Sequence, residues 1–170
     1  MAVSWYVIRS KSNKEDFLAK QLLAYGIEVF YPCIRVKPVN PRARKLKAFF
    51  PGYLFVHVDL KTVNSSTLHW MPGAVNLVSF EGAPASVPDA LIAAVERKVQ
   101  QINASQESSL KDLKPGDVVT IEHGPFAGYE AIFDGHVSGR ERVRVLLEFL
   151  QKRQIPIELG EKQVSRVKHK

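Results

Sequence analysis

The sequence predicts an α+β fold, in which a mostly antiparallel sheet flanked by helices precedes a small C-terminal β-barrel. Three observations lead there. Over residues 1–102, segments with period-two and period-3.6 hydrophobicity follow in the order strand, helix, strand, strand, strand, helix. Residues 103–113 are then polar and poor in large apolar side chains, which marks a linker. Beyond it, residues 114–170 place glycines and short β-branched runs at close spacing, the pattern of a small barrel of about five strands.

Taken in order, "SWYVIRS" is a short opening strand. "SNKEDFLAKQLLAYG" follows as a helix: Ser12 and Glu15 have capping-box spacing, and Gly26 suits the left-handed position after the last turn. Phe17, Leu18, Leu22 and Tyr25 supply its apolar stripe. "IEVFYPCIRVKPV" is a strand interrupted at Pro32, which cannot donate to a ladder and favours an edge or a bend. The basic segment "NPRARKLKA" leads to "FFPGYLFVHVDL", a Pro-Gly turn and then a strand. One face of that strand, Leu54, Val56, Val58 and Leu60, is uniformly apolar and belongs on a core. The other begins with Tyr53 and Phe55, which either lie beneath a helix of the same domain or await a partner. "AVNLVSF" is a further strand, and "PDALIAAVERKVQQI" a second long helix with Leu91, Ile92, Val95 and Val99 in register.

In "RVRVLLEFLQKRQ" both periods fit. A strand aligns Val143, Val145, Leu147 and Phe149, whereas a helix aligns Val143, Leu146, Leu147 and Leu150. Tertiary context must choose, or the segment adopts either form.

A net charge of +7 and a pI near 9.6 point to an anionic partner. No acid occurs between Glu28 and Asp59, an interval that holds Arg35, Lys37, Arg42, Arg44, Lys45 and Lys47. This run reads equally as a solvated hairpin tip or as a phosphate-facing arm. The single cysteine, Cys33, excludes an internal disulfide framework and a cysteine-based zinc site. The five histidines lack metal-ligand spacing, and no nucleophile elbow or phosphate loop is present. The expectation is therefore a non-enzyme with no metal and no cofactor. No apolar run reaches the length of a membrane span and the opening residues lack a signal-type apolar segment, so a cytoplasmic protein is expected.

Four stretches together, "SWYVIRS", "FFPGYLFVHVDL", "WMPGAVNLVSF" and "PGDVVTIEHGPFAGYEAIF", resemble the successive hallmarks of the NusG/RfaH transcription elongation factors. The last resembles a KOW motif, with Gly128 at its turn. The resemblance implies an N-terminal RNA-polymerase-binding domain over 1–102 and a KOW domain over 114–170. Such a protein closes the clamp of bacterial RNA polymerase over nucleic acid, suppresses pausing and recruits other factors, as a monomer.

The same resemblance implies roles residue by residue. Phe50, Tyr53 and Phe55 match the aromatic contact to the clamp helices of the polymerase's largest subunit. Asn64, Ser65, Ser66 and Thr67 stand where the RfaH branch touches the gate loop of the second-largest subunit, although the same residues also suit a helix cap. Lys11, Gln21 and Tyr25 occupy the side that meets the non-template DNA strand, with Arg42, Arg44 and Lys45 as further nucleic-acid candidates. Phe133 and Arg142 match an interdomain contact of RfaH, whose C-terminal part can fold as a helical hairpin over the clamp site. The acidic partner of that basic residue is replaced by Lys47, and Pro156 interrupts the second hairpin helix at about 3 kcal/mol. The barrel is therefore the expected ground state and the hairpin its alternative. Val145, Leu147 and Phe149 are the candidate KOW surface for a small-subunit ribosomal protein or the termination factor Rho. The competing reading is a KOW-containing RNA-binding or ribosome-associated protein, in which the aromatics stack on bases.

Overall fold

The structure, a computed structural model, describes residues 3–35, 46–108 and 128–153. The basic tip with Arg42, Arg44 and Lys45, the expected linker beyond Ser108, and Pro156 lie outside them. Strand β1 (Ser4–Ser10) is the middle of the main sheet. It pairs antiparallel with β5 (Tyr53–Val58) on one side, and with β6 (Ala74–Leu77) and β9 (Ser86–Val87) on the other. The short β2 (Glu28–Phe30) extends the sheet beyond β5. Two small hairpins complete the strands: β3 (Cys33–Arg35) with β4 (Leu46–Ala48), and β7 (Ser79–Phe80) with β8 (Ala83–Pro84). Every described pairing is antiparallel, as the pattern of the sequence predicts.

Helix α1 (Glu15–Ala24) and the short α2 (Ser65–His69) cover one face of this sheet. Leu18, Leu22 and Leu68, all fully buried, close over Ile8, Leu54 and Val56. This is the aliphatic face of the β5 alternation. Gly26 ends α1 at φ +89°, a conformation that costs a residue with a Cβ. The expected capping box does not form. Lys14 holds the N-cap position without a side-chain bond, and the Glu15 carboxylate instead accepts the Gly52 N–H at 2.9 Å. Phe17 and Tyr25, expected in the apolar stripe, are largely exposed.

The other face carries Val7 and Phe55, and here α3 (Asp89–Ser108) supplies Leu91, Val95 and Val99. At its polar end, His57 stacks on Trp5 with centroids 4.5 Å apart and bonds Glu28 at 2.9 Å. Helix α3 runs past the domain boundary expected at 102. The reason is visible at Asn103, whose side chain accepts the Arg35 N–H at 2.8 Å and donates to the Cys33 carbonyl at 3.3 Å. A residue assigned to the linker thus pairs the open edge of β3.

The described C-terminal residues, 128–153, are helical, the expected alternative rather than the barrel, and the rest of the expected barrel region, 114–127 and 154–170, lies outside the described residues. Those described form a 3-10 turn (Glu130–Phe133) and helix α4 (Gly139–Arg153). Ser138 Oγ accepts the Glu141 N–H at 3.1 Å, so "SGRE" opens α4 with a side-chain cap. Arg142, Val145, Leu146, Phe149 and Leu150 are buried at i, i+3, i+4, i+7 and i+8. On the solvent side, Glu141 pairs with Arg144, while Glu148 lies 3.8 Å from both Arg144 and Lys152. The Arg144 guanidinium draws the Glu141 carboxyl below its usual range. Both helix faces are satisfied along α4, and Pro156, which argued against a helix, lies outside the described residues.

Truncating Leu54 of β5, which is fully buried between the sheet and α1, should destabilise the chain by about 2–5 kcal/mol in urea unfolding. A loss under 1 kcal/mol would contradict the two-layer packing.

Candidate functional site

The candidate site is built around the turn that precedes β5. Phe50 to Tyr53 form a type II turn: Pro51 fits the second position, Gly52 takes φ +85°, and the Tyr53 N–H donates to the Phe50 carbonyl at 3.0 Å. The turn is fixed from outside by two bonds. The Ser10 N–H reaches the Gly52 carbonyl at 2.8 Å, and Glu15 holds the Gly52 N–H. Phe49, Phe50 and Phe55 therefore enter a rigid aromatic cluster, with ring centroids 5.2 Å apart for Phe49 and Phe50 and 5.6 Å for Phe50 and Phe55.

This cluster does not face water. Phe50 and Phe55 are buried and Tyr53 is half-buried, in a core to which α3, α4 and the 3-10 turn all contribute. Ile132, Phe133, Leu146, Phe149 and Leu150 belong to the same continuous core. The expected clamp residues and the expected interdomain residues thus meet in one place.

Arg142 is the polar centre of this contact, 1% exposed. Its Nε donates to the Phe49 carbonyl at 2.8 Å, and Nη1 donates to the Asp134 carbonyl at 2.9 Å and to the Val137 carbonyl. The guanidinium carbon also sits 4.0 Å from the centroid of the Phe49 ring. Burial draws its pKa down to about 10, with Asp134 opposing, so the group stays cationic at neutral pH. Lys47, in place of the acidic partner that the resemblance implies, does not govern the contact. Lys47 is exposed, and carbonyl oxygens rather than a carboxylate receive the buried charge.

Gly139 sets the distance of approach. A Cβ there would fall 2.6 Å from both Cγ and Cδ of Pro51, a rigid ring in a pinned turn. Only glycine lets the first turn of α4 rest on the β5 turn.

The other sequence-predicted residues lie elsewhere. Asn64 is the N-cap of α2, its Oδ1 accepting the Ser66 N–H at 2.9 Å. Asn64 and Ser66 are exposed, whereas Ser65 and Thr67 are half-buried. Lys11 and Tyr25 are exposed and Gln21 is half-buried, on the α1 side of the sheet. The Lys11 N–H ties this side to the Gly73 carbonyl at 2.8 Å. Val145, Leu147 and Phe149 do not share a surface. The segment is helical, so Val145 and Phe149 enter the core and Leu147 stays at its rim. Trp70, 85% exposed, was not singled out by the sequence pattern. It follows directly on α2, and a large aromatic two residues before a Pro-Gly pair was the signal available.

Among the described residues no three His, Cys, Asp or Glu side chains come together as metal ligands, and no helix is long and apolar enough to cross a membrane.

Comparison with known proteins places these features. The family model described as "Transcription termination factor nusG" matches residues 3–96, more than half of the chain. The "Transcription termination/antitermination protein NusG" of Pseudomonas aeruginosa is 27% identical, over 98% of this chain and 100% of that protein. Its counterpart in Escherichia coli K12 is 25% identical over 95% of each chain. A solved structure, "Domain interaction in Thermotoga maritima NusG", is similar at 25% identity and a TM-score of 0.43, covering 75% of this chain and 76% of that one.

Replacing Gly139 with alanine raises the intrinsic helix propensity of α4 by about 1 kcal/mol yet should release the helix from the sheet. Amide exchange of the full chain reads the result. Faster exchange at Val145 and Phe149 is expected, and slower exchange would contradict the close-approach role.

Proposed function

The chain belongs to the NusG family of transcription factors, and we propose that it is a transcription elongation and antitermination factor that binds RNA polymerase across its clamp. Such a protein performs no chemistry of its own. It acts by favouring one conformation of the polymerase over another. The observation that carries this reading is the aromatic cluster of Phe50, Tyr53 and Phe55, an apolar anchor built on a rigid turn. In this reading these rings dock on the clamp helices of the largest subunit. Asn64 to Thr67 meet the gate loop of the second-largest subunit, and the two contacts together keep the cleft closed and suppress pausing.

Helix α4 and the clamp compete for the same side chains, so the docked chain is the inactive one. Release of α4 uncovers Phe50 and Phe55, and it also frees Val145 and Phe149 for a ribosomal protein or Rho. Recruitment and polymerase binding are thereby coupled to a single event, the departure of α4. On the opposite side, Lys11, Gln21 and Tyr25 face the non-template DNA strand. Trp70 adds an exposed ring to that side, suited to stacking on an unpaired base. The alternative, a ribosome-associated RNA-binding protein using the same aromatics as stacking platforms, has less support, because the chain's family and its relatives over nearly its whole length are transcription factors.

Two substitutions of opposite sign test the reading in binding assays with RNA polymerase elongation complexes. Tyr53→Ala should weaken binding about tenfold or more, the usual cost of an aromatic anchor. Gly139→Ala should strengthen it by removing the competing helix. Equal affinity of the chain for polymerase complexes and for the bare nucleic-acid scaffold, with a steep salt dependence, would refute it.

A further inference from the structure

We propose that the cleft between α4 and the β6 edge of the sheet is a binding site for a small anion carrying an apolar ring or chain, and that its ligand holds α4 docked. The inference rests on the docking of α4, and it stands whether or not the clamp reading does. The cleft has a volume of about 360 Å³, within the range of small-molecule sites. Its walls come from separate elements: Arg9 of β1, Tyr53 of β5, His69 of α2, Asn76 of β6, Phe80 of β7 and Leu147 of α4.

The chemistry of the lining is asymmetric. The side chains of Arg9, Tyr53, His69 and Asn76 make no hydrogen bond or ion pair to another described residue, although they converge on one cleft. A guanidinium, a phenol hydroxyl, an imidazole and a carboxamide can all donate, and no carboxylate lines the cleft to compete. An acceptor-rich anion, a carboxylate or a phosphate monoester, matches that set. Phe80 and Leu147 offer the apolar part of such a ligand a surface to rest on.

Because Leu147 closes one side, the complete cleft exists only while α4 is docked. Whatever fills it binds the docked chain better than the released one, and stabilises docking in proportion to its concentration. Burial of Val145 and Phe149 a few residues away couples the cleft to the aromatic cluster directly.

Phenyl phosphate is the probe, titrated into the isotope-labelled full chain and followed by amide chemical shifts and amide exchange. Saturable shifts at Arg9, Asn76 and Leu147 are expected, with slower exchange along α4. Inorganic phosphate and benzyl alcohol, which each supply half of the chemistry, should bind at least about tenfold more weakly. Arg9→Gln should reduce phenyl phosphate affinity about tenfold, leaving the rest of the spectrum in place. Leu147→Ala should also weaken it. Absence of saturable binding, equal binding of inorganic phosphate, an Arg9→Gln chain that binds like the parent, or unchanged exchange along α4 would each overturn the proposal.

Discussion

A strand with large apolar side chains on both faces must be covered on both faces, and β5 imposes that requirement on the whole chain. Leu54, Val56 and Val58 take α1 and α2. Phe55, with Phe50 brought in by the type II turn, takes what remains: α3 along part of the face and α4 over the rest. The first covering comes from residues close in sequence and belongs to the stable domain. The second is completed by a segment some ninety residues further on, as the contact of Arg142 with Phe49 illustrates, 93 residues apart. In the proposed function, this distant covering is the part that a partner replaces.

The polar chemistry of the contact fits that exchange. A buried ion pair would leave an uncompensated charge on each side when α4 departs, and breaking such a pair is strongly destabilising. Arg142 instead donates hydrogen bonds to the carbonyls of Phe49, Asp134 and Val137. Two of these three acceptors belong to its own segment, so most of its bonding travels with it. Only the Phe49 carbonyl and ring are left behind. Gly139 against Pro51 adds shape selectivity without charge, so docking depends weakly on ionic strength.

Much of this was legible from the residues alone, in the places where local chemistry decides. The chain order of the main strands and the two long helices, the antiparallel pairing, Gly26 after α1 and the two faces of β5 all follow from period and turn chemistry. The capping role of Ser12 with Glu15 failed because a tertiary donor, the Gly52 N–H, claimed the carboxylate. Asn103 read as linker because its partners on β3 are far away in sequence. At α4 the pattern admits both forms, and Lys47 and Pro156 favour a barrel. The Ser138 cap and the Glu141–Arg144–Glu148–Lys152 ladder were equally visible and pointed to helix. That the aromatic face and α4 meet was legible only by resemblance, since no periodicity reports a contact between distant segments.

The central claim is that one aromatic face serves two occupants in turn. Amide hydrogen exchange of α4 in the free chain and in its saturated complex with RNA polymerase tests this most directly. The account predicts that Val145, Leu146 and Phe149 are protected in the free chain and lose that protection in the complex, while Leu54 and Val56 of β5 keep theirs. An α4 that remains equally protected at full polymerase occupancy would contradict it, because the helix and the clamp could not then share the face.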